Sequence, residues 1–206
     1  ELRKLTDAIH AEGAKASIQL GHCGNMSHRT ICGCMPYGAS RGFNLYSPTF
    51  VRGMEEYEIL DIVRDFGKAV NLAREAGFDC VEIHAGHGYL ISQFLSPYTN
   101  HRHDIWGGNL ENRMRFMKFV IREVMDAALD DIAVVVKINM FDGVKSGIQV
   151  DEAILIAKEL EKLGVHALVL SAGFVSKAPM EVMRGAMPIK TMTYYMNIWK
   201  FWWLKA

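Results

Sequence analysis

Apolar residues at helical spacing alternate along this chain with short β-branched runs, a rhythm that predicts repeated helix and strand units. Leu2, Leu5, Ala8 and Ile9 share one helical face, Gly13 stops that helix, and Lys15 to Leu20 reads as a strand. From Glu55, the positions Ile59, Ile62, Val63, Phe66, Ala69, Val70 and Ala73 form a single apolar stripe that Gly77 ends. Asp79 to Ile83 is a short buried strand, and Leu90 to Leu95 a short apolar helix halted by Pro97. Asn109 can cap a helix running from Leu110 to about Ala127. Ile132 to Ile138 is the continuous run expected of a parallel strand buried on both faces. Asp151 to Leu163 is helical, Gly164 closes it, and Val165 to Leu170 is the fourth strand. Strands that alternate with helices imply a parallel sheet with right-handed crossovers, an α/β fold.

Two stretches break the rhythm. Gly21 to Gly53 is rich in Gly, Pro and Ser and has no sustained period, so it is expected as one long loop, which in a compact domain is usually functional. The end of the chain, from Tyr194 and Tyr195 through Trp199, Phe201, Trp202 and Trp203, is unusually aromatic and reads as a buried helix separated from its neighbours rather than a binding element.

Composition narrows the function classes. The 206 residues are 50% hydrophobic and 22% charged, with 23 basic against 23 acidic side chains, which fits one globular domain. Balanced charge gives no electrostatic reason to expect nucleic acid or an anionic membrane as a partner. The apolar run at Ile132 to Val136 ends at Lys137, far short of the ~18 residues a spanning helix needs, so no membrane segment is expected. Cys23, Cys32, Cys34 and Cys80 show no C-x-x-C spacing, so reduced thiols and a cytoplasmic location are expected, and Cys32 and Cys34 with His22, Cys23 and His28 fall short of a metal motif.

The chemistry concentrates where one strand changes character. The run Val81-Glu82-Ile83-His84-Ala85-Gly86-His87-Gly88-Tyr89-Leu90 passes from buried strand into two histidines, two glycines and a tyrosine. It belongs to a longer pattern, Ala76-Gly77-Phe78-Asp79-Cys80 before it and Gln93-Phe94-Leu95-Ser96-Pro97, Asn100, Arg102, Asp104, Gly107-Gly108 and Glu111-Asn112-Arg113 after it. Together with Gln19-Leu20-Gly21-His22 and Lys137-Ile138-Asn139, this pattern resembles the old yellow enzyme family. The resemblance implies a (β/α)8 TIM barrel, FMN as cofactor and NADH or NADPH as electron donor. It further implies reduction of the activated C=C bond of an α,β-unsaturated carbonyl or enoate.

A full barrel takes ~250 residues, so four βα units amount to a partial one, resembling strands three to six. Residues 1–206 are therefore expected to be a single partial domain cut at both ends, with open edges at Lys15 to Leu20 and Val165 to Leu170 that invite a homo-oligomer.

Gln19, His84 and Lys137 all fall at carboxyl ends of expected strands, where a barrel gathers its chemistry. Gln19 offers the donor and acceptor that a flavin pyrimidine edge needs, and could equally tie down a loop. Lys137 would stabilise negative charge on a reduced flavin where many relatives carry arginine; it could instead form a Schiff base, as aldolases of this fold do. His84 and His87 can both donate to one carbonyl oxygen, making them substrate-binding and catalytic candidates, or they can be structural. Tyr89 can protonate the α carbon, the role that the resemblance implies. Arg102, Asp104 and Arg113 are expected to fix structure, and His101 and His103 to be solvated. A non-catalytic barrel fragment is the remaining alternative.

Overall fold

A computed structural model describes residues 1–44 and 49–182. The aromatic tail and the buried helix expected there lie outside the described residues.

Helix α1 (Leu2–Ala11) leads into β1 (Ser17–Leu20), and after the loop region come α3 (Glu56–Glu75) and β5 (Cys80–Ala85). Then follow α4 (Leu90–Leu95), α5 (Leu110–Ala128), β6 (Ala133–Asn139), α6 (Val150–Lys162), β7 (Ala167–Ser171) and α7 (Pro179–Val182). The four strands form one wholly parallel sheet in the order β1-β5-β6-β7, a partial (β/α)8 barrel. The expected cap is present, since Asn109 accepts from the Asn112 N–H, and Glu55 and Glu58 also close a capping box at the start of α3.

Two expectations change. The stretch from Gly21 to Gly53 is not a bare loop: it holds α2 (Arg29–Cys32), β2 (Tyr37–Gly38), β3 (Gly42–Asn44) and β4 (Thr49–Gly53). Its strands form a small mixed sheet in the order β2-β4-β3. Strands of two to five residues are too short to leave a period in the sequence, which is why pattern reading misses them. Arg102 pins this subdomain to the barrel, since its Nη1 donates to the carbonyls of Ala39 and Met54 at 3.0 and 2.7 Å.

The second change concerns β6, expected to be buried on both faces. Its burial alternates instead: Val134, Val136 and Ile138 are buried, while Ala133, Val135 and Lys137 are half-buried. The buried set joins Val81 and Ile83 of β5 in a core covered by α3, α4 and α5, whereas the opposite face is covered by no further strand among the described residues.

Candidate active site

Strand register builds the site. Gln19 of β1 lies opposite Glu82 of β5, and His84 of β5 lies opposite Lys137 of β6. Side chains alternate along a strand, so Glu82 and His84, two apart, point to the same side. All four therefore stand on the inward face of the sheet, opposite the apolar core. Gln19, His84 and Lys137, picked out from sequence, are thus brought together.

Glu82 is the residue that sequence reading missed. One of its carboxylate oxygens, Oε1, accepts from the Gln19 amide and meets the Lys137 ammonium at 2.6 Å. Burial alone would push Glu82 up, but the hydrogen bonds from Lys137 and Gln19 and the lysine charge outweigh it and hold the group below its ordinary value. The signal was legible in principle: a carboxylate between Val81 and Ile83, in a buried strand, calls for a partner. An ammonium held by a carboxylate is also a poor amine nucleophile, which weighs against the Schiff-base alternative for Lys137.

Beyond the strand end the chain turns sharply. His87 takes a left-handed backbone (φ 59°) and Gly88 follows at φ 83°. A Cβ on Gly88 would lie 2.3 Å from the Phe174 ring, so only glycine fits there. This turn stacks three rings: His84 and His87 meet edge to face at 5.1 Å, and the Tyr89 ring lies 4.6 Å from that of His84.

The histidines differ in their partners. His84 Nδ1 accepts from the Gly86 N–H at 3.3 Å, so in the neutral ring Nε2 carries the proton and is a donor. Burial first, then the neighbouring His87 and Lys137, lower its pKa to about 4. Near neutral pH His84 is uncharged. His87, also lowered by burial and by Lys137, sets its Nε2 2.6 Å from Ser171 Oγ, which leaves Nδ1 to meet any shared oxygen. Its backbone is anchored as well, because the His87 N–H donates to Asn139 Oδ1 at 3.0 Å. Asn139 in turn donates to Asp142 and to the Gly173 carbonyl, tying together the loops that follow β5, β6 and β7.

Gln93 secures the other side of the turn, donating to the carbonyls of Gly88 and Cys23 and accepting from the Asn25 N–H. Arg113 is buried, with its guanidinium on Glu152 and on the Leu95 carbonyl, and Arg102 pairs with Asp104. These positions have the structural surroundings expected of them. His101 and His103 are both exposed, as expected, and His101 also lines a cavity. Among the described residues no group of His, Cys, Asp or Glu is arranged to hold a metal ion, and no helix is long and apolar enough to cross a membrane.

The arrangement is a set of hydrogen-bond donors on an open, inward-facing surface. The Gln19 amide and the Lys137 ammonium lie side by side on Glu82, the donor set that the pyrimidine edge of a flavin would need. The neutral His84 Nε2–H, His87 Nδ1 and the Tyr89 phenol occupy the next layer.

Comparison with known proteins gives the same direction. Residues 1–202 match the NADH:flavin oxidoreductase / NADH oxidase family. The chain is 38% identical over 189 residues to a 4,4'-dithiodibutanoate disulfide reductase of Rhodococcus erythropolis, covering 91% of this chain and 47% of that protein. It is 38% identical over 179 residues to an NADPH dehydrogenase of Listeria monocytogenes, covering 86% and 52%. Its structure superposes on the old yellow enzyme homologue from Zymomonas mobilis with a TM-score of 0.77 at 28% identity, covering 95% of this chain and 58% of that one. The chain thus spans about half the length of the curated relatives it matches.

Proposed function

The chain belongs to the NADH:flavin oxidoreductase / NADH oxidase family, and from that premise we propose that it carries half of the active site of an FMN-dependent enzyme. That enzyme takes electrons from NADH or NADPH and reduces the activated C=C bond of an α,β-unsaturated carbonyl or enoate. The observation that carries the proposal is the neutral His84, whose tautomer aims an Nε2–H into the site beside Tyr89.

Gln19 and Lys137 would hold the pyrimidine edge of FMN, with Glu82 setting the rotamers of both. Bound FMN supplies the hydride. His84 Nε2–H and His87 Nδ1–H would donate to the substrate carbonyl oxygen, drawing electron density away from the alkene so that its β carbon accepts hydride. Tyr89 would then deliver its phenolic proton to the α carbon; a phenol of pKa ~10 is an adequate acid when held against a developing carbanion. Oxyanion donors beside an acid favour a carbonyl-conjugated alkene over a disulfide, whose cleavage leaves charge on sulfur. A cytoplasmic enzyme acting on a small molecule is consistent with this reading.

The test uses the parent protein, with stopped-flow measurement of each half-reaction. Tyr89→Phe should slow flavin oxidation by cyclohexenone about 100-fold or more and leave reduction by NADPH nearly unchanged, since a general acid contributes ~10²–10⁴-fold. Equal slowing of both halves removes Tyr89 from the acid role. Reduction of a disulfide by the unaltered parent protein with no turnover of cyclohexenone would replace the alkene with a disulfide as acceptor.

A further inference from the structure

Beside the strand end lies a cavity of about 430 Å³ that the proposed chemistry does not use. None of Gln19, Glu82, His84 or Lys137 lines it. Its walls come from four βα connections on the same face as the site: Ser40 and Arg41 follow β1, His101 follows β5, Ser146 follows β6, and Ser176 and Lys177 follow β7. Four successive loops converging at the carboxyl ends of barrel strands is the place where such folds bind ligands.

Its charge is one-sided. Three basic side chains, Arg41, His101 and Lys177, line the cavity with several hydroxyls and no carboxylate. Among the described residues neither Arg41 nor Lys177 forms an ion pair, and the residues outside that description, 45–48 and 183–206, include no Asp or Glu. His101 is held by its backbone, whose N–H donates to Ser40 Oγ at 2.8 Å. A guanidinium and an ammonium on separate loops, with hydroxyl donors around them, suit an anion that presents oxygens in several directions.

The cavity also communicates with the site. Phe174 lines it, pairs through its backbone with His87, and sets its ring edge to face against Tyr98 at 5.8 Å. The Val175 N–H donates to the His87 carbonyl at 3.1 Å, fixing Phe174 between cavity and turn.

We propose that this cavity binds the pyrophosphate of a nucleotide-bearing reactant, the adenosine diphosphate portion shared by a nicotinamide dinucleotide and a coenzyme A thioester. The assignment of that reactant to the active site rests on the function proposed above; the anion site itself does not. Volume supports it, since ligand cavities run from ~300 to 1,000 Å³ and this one exceeds what a single carboxylate fills.

Calorimetric titration of the full chain with inorganic pyrophosphate, ADP, NADP⁺ and coenzyme A tests the site. ADP should bind, more weakly as salt is raised, and Arg41→Ala and Lys177→Ala should each lower its affinity roughly tenfold. Both side chains are exposed, so both variants should retain the fold, as circular dichroism would verify. A preference for NADP⁺ or for coenzyme A identifies the source of the pyrophosphate, and either preference supports the site. Absence of ADP and pyrophosphate binding at millimolar concentration, or binding that the double variant leaves unchanged, overturns it. The stopped-flow measurement on the parent protein separates the two ideas: ADP binding with no enone-driven flavin oxidation retains the cavity and sinks the flavin reading, and the reverse result does the opposite.

Discussion

The two faces of the four-stranded sheet are made by the same residues in alternation, yet they answer to different physics. On the outer face Val81, Ile83, Val134, Val136 and Ile138 are 0–2% exposed and lock into the helices. On the inner face Gln19, Glu82, His84 and Lys137 stand in two polar layers whose geometry depends on one carboxylate. The outer face stabilises through area removed from water, which is tolerant of detail. The inner face relies on hydrogen bonds and charge pairing, which contribute little net stability but fix positions. The period of two in a strand thus lets one segment carry fold and chemistry with little interference between them.

This contrast is open to direct attack. The largest effect is expected on the outer face: Ile83→Ala, at a fully buried position, should destabilise by about 2–5 kcal/mol in urea unfolding. Gln19→Ala on the exposed inner side should cost less than ~1 kcal/mol. Similar losses from both would abolish the distinction.

Acidification should act through the inner face. The folded pKa of His84 is lowered to about 4 from an ordinary 6.5, so below pH 6.5 the unfolded chain takes up a proton that the folded chain refuses. The contribution of His84 is therefore complete above pH 6.5 and declines as pH falls toward 4. Each tenfold change in proton affinity corresponds to about 1.4 kcal/mol, which limits the decline to about 3 kcal/mol. Unfolding free energies measured between pH 7.5 and 4 should show this loss, and His84→Asn should remove the His84 share while leaving that of His87. Glu82, held below its ordinary value, adds a loss that begins only at the acid end.

A double-mutant cycle sharpens the role of Glu82. Lys137→Met leaves a half-buried carboxylate without its cation and should cost about 1–3 kcal/mol, and adding Glu82→Gln should recover most of it. Additive losses in that double-mutant cycle would show that the pair is not coupled. Uncoupling would remove Glu82 as the organiser of Gln19 and Lys137.

Helices α1, α3, α4, α5 and α6 and the four parallel strands were legible because each carries a period that burial imposes, as in the stripe from Ile59 to Ala73 or the run from Val134 to Ile138. The residue pattern from Ala76 to Arg113 sufficed for the family, and strand ends alone singled out Gln19, His84 and Lys137. What stayed hidden was whatever depends on which segments meet. Two-residue β2 and three-residue β3 have too few positions to show alternation, and only their pairing with β4 makes them strands. The bridge from Glu82 to Lys137 joins residues 55 apart in the chain, fixed by register rather than by any local motif. His84 and His87 look equivalent in the sequence; Gly86 on one ring and Ser171 on the other made them different donors. Local propensity is written in the order of residues, whereas hydrogen-bond partners and desolvation are properties of the packed chain, and those decide which atom of a side chain can do chemistry.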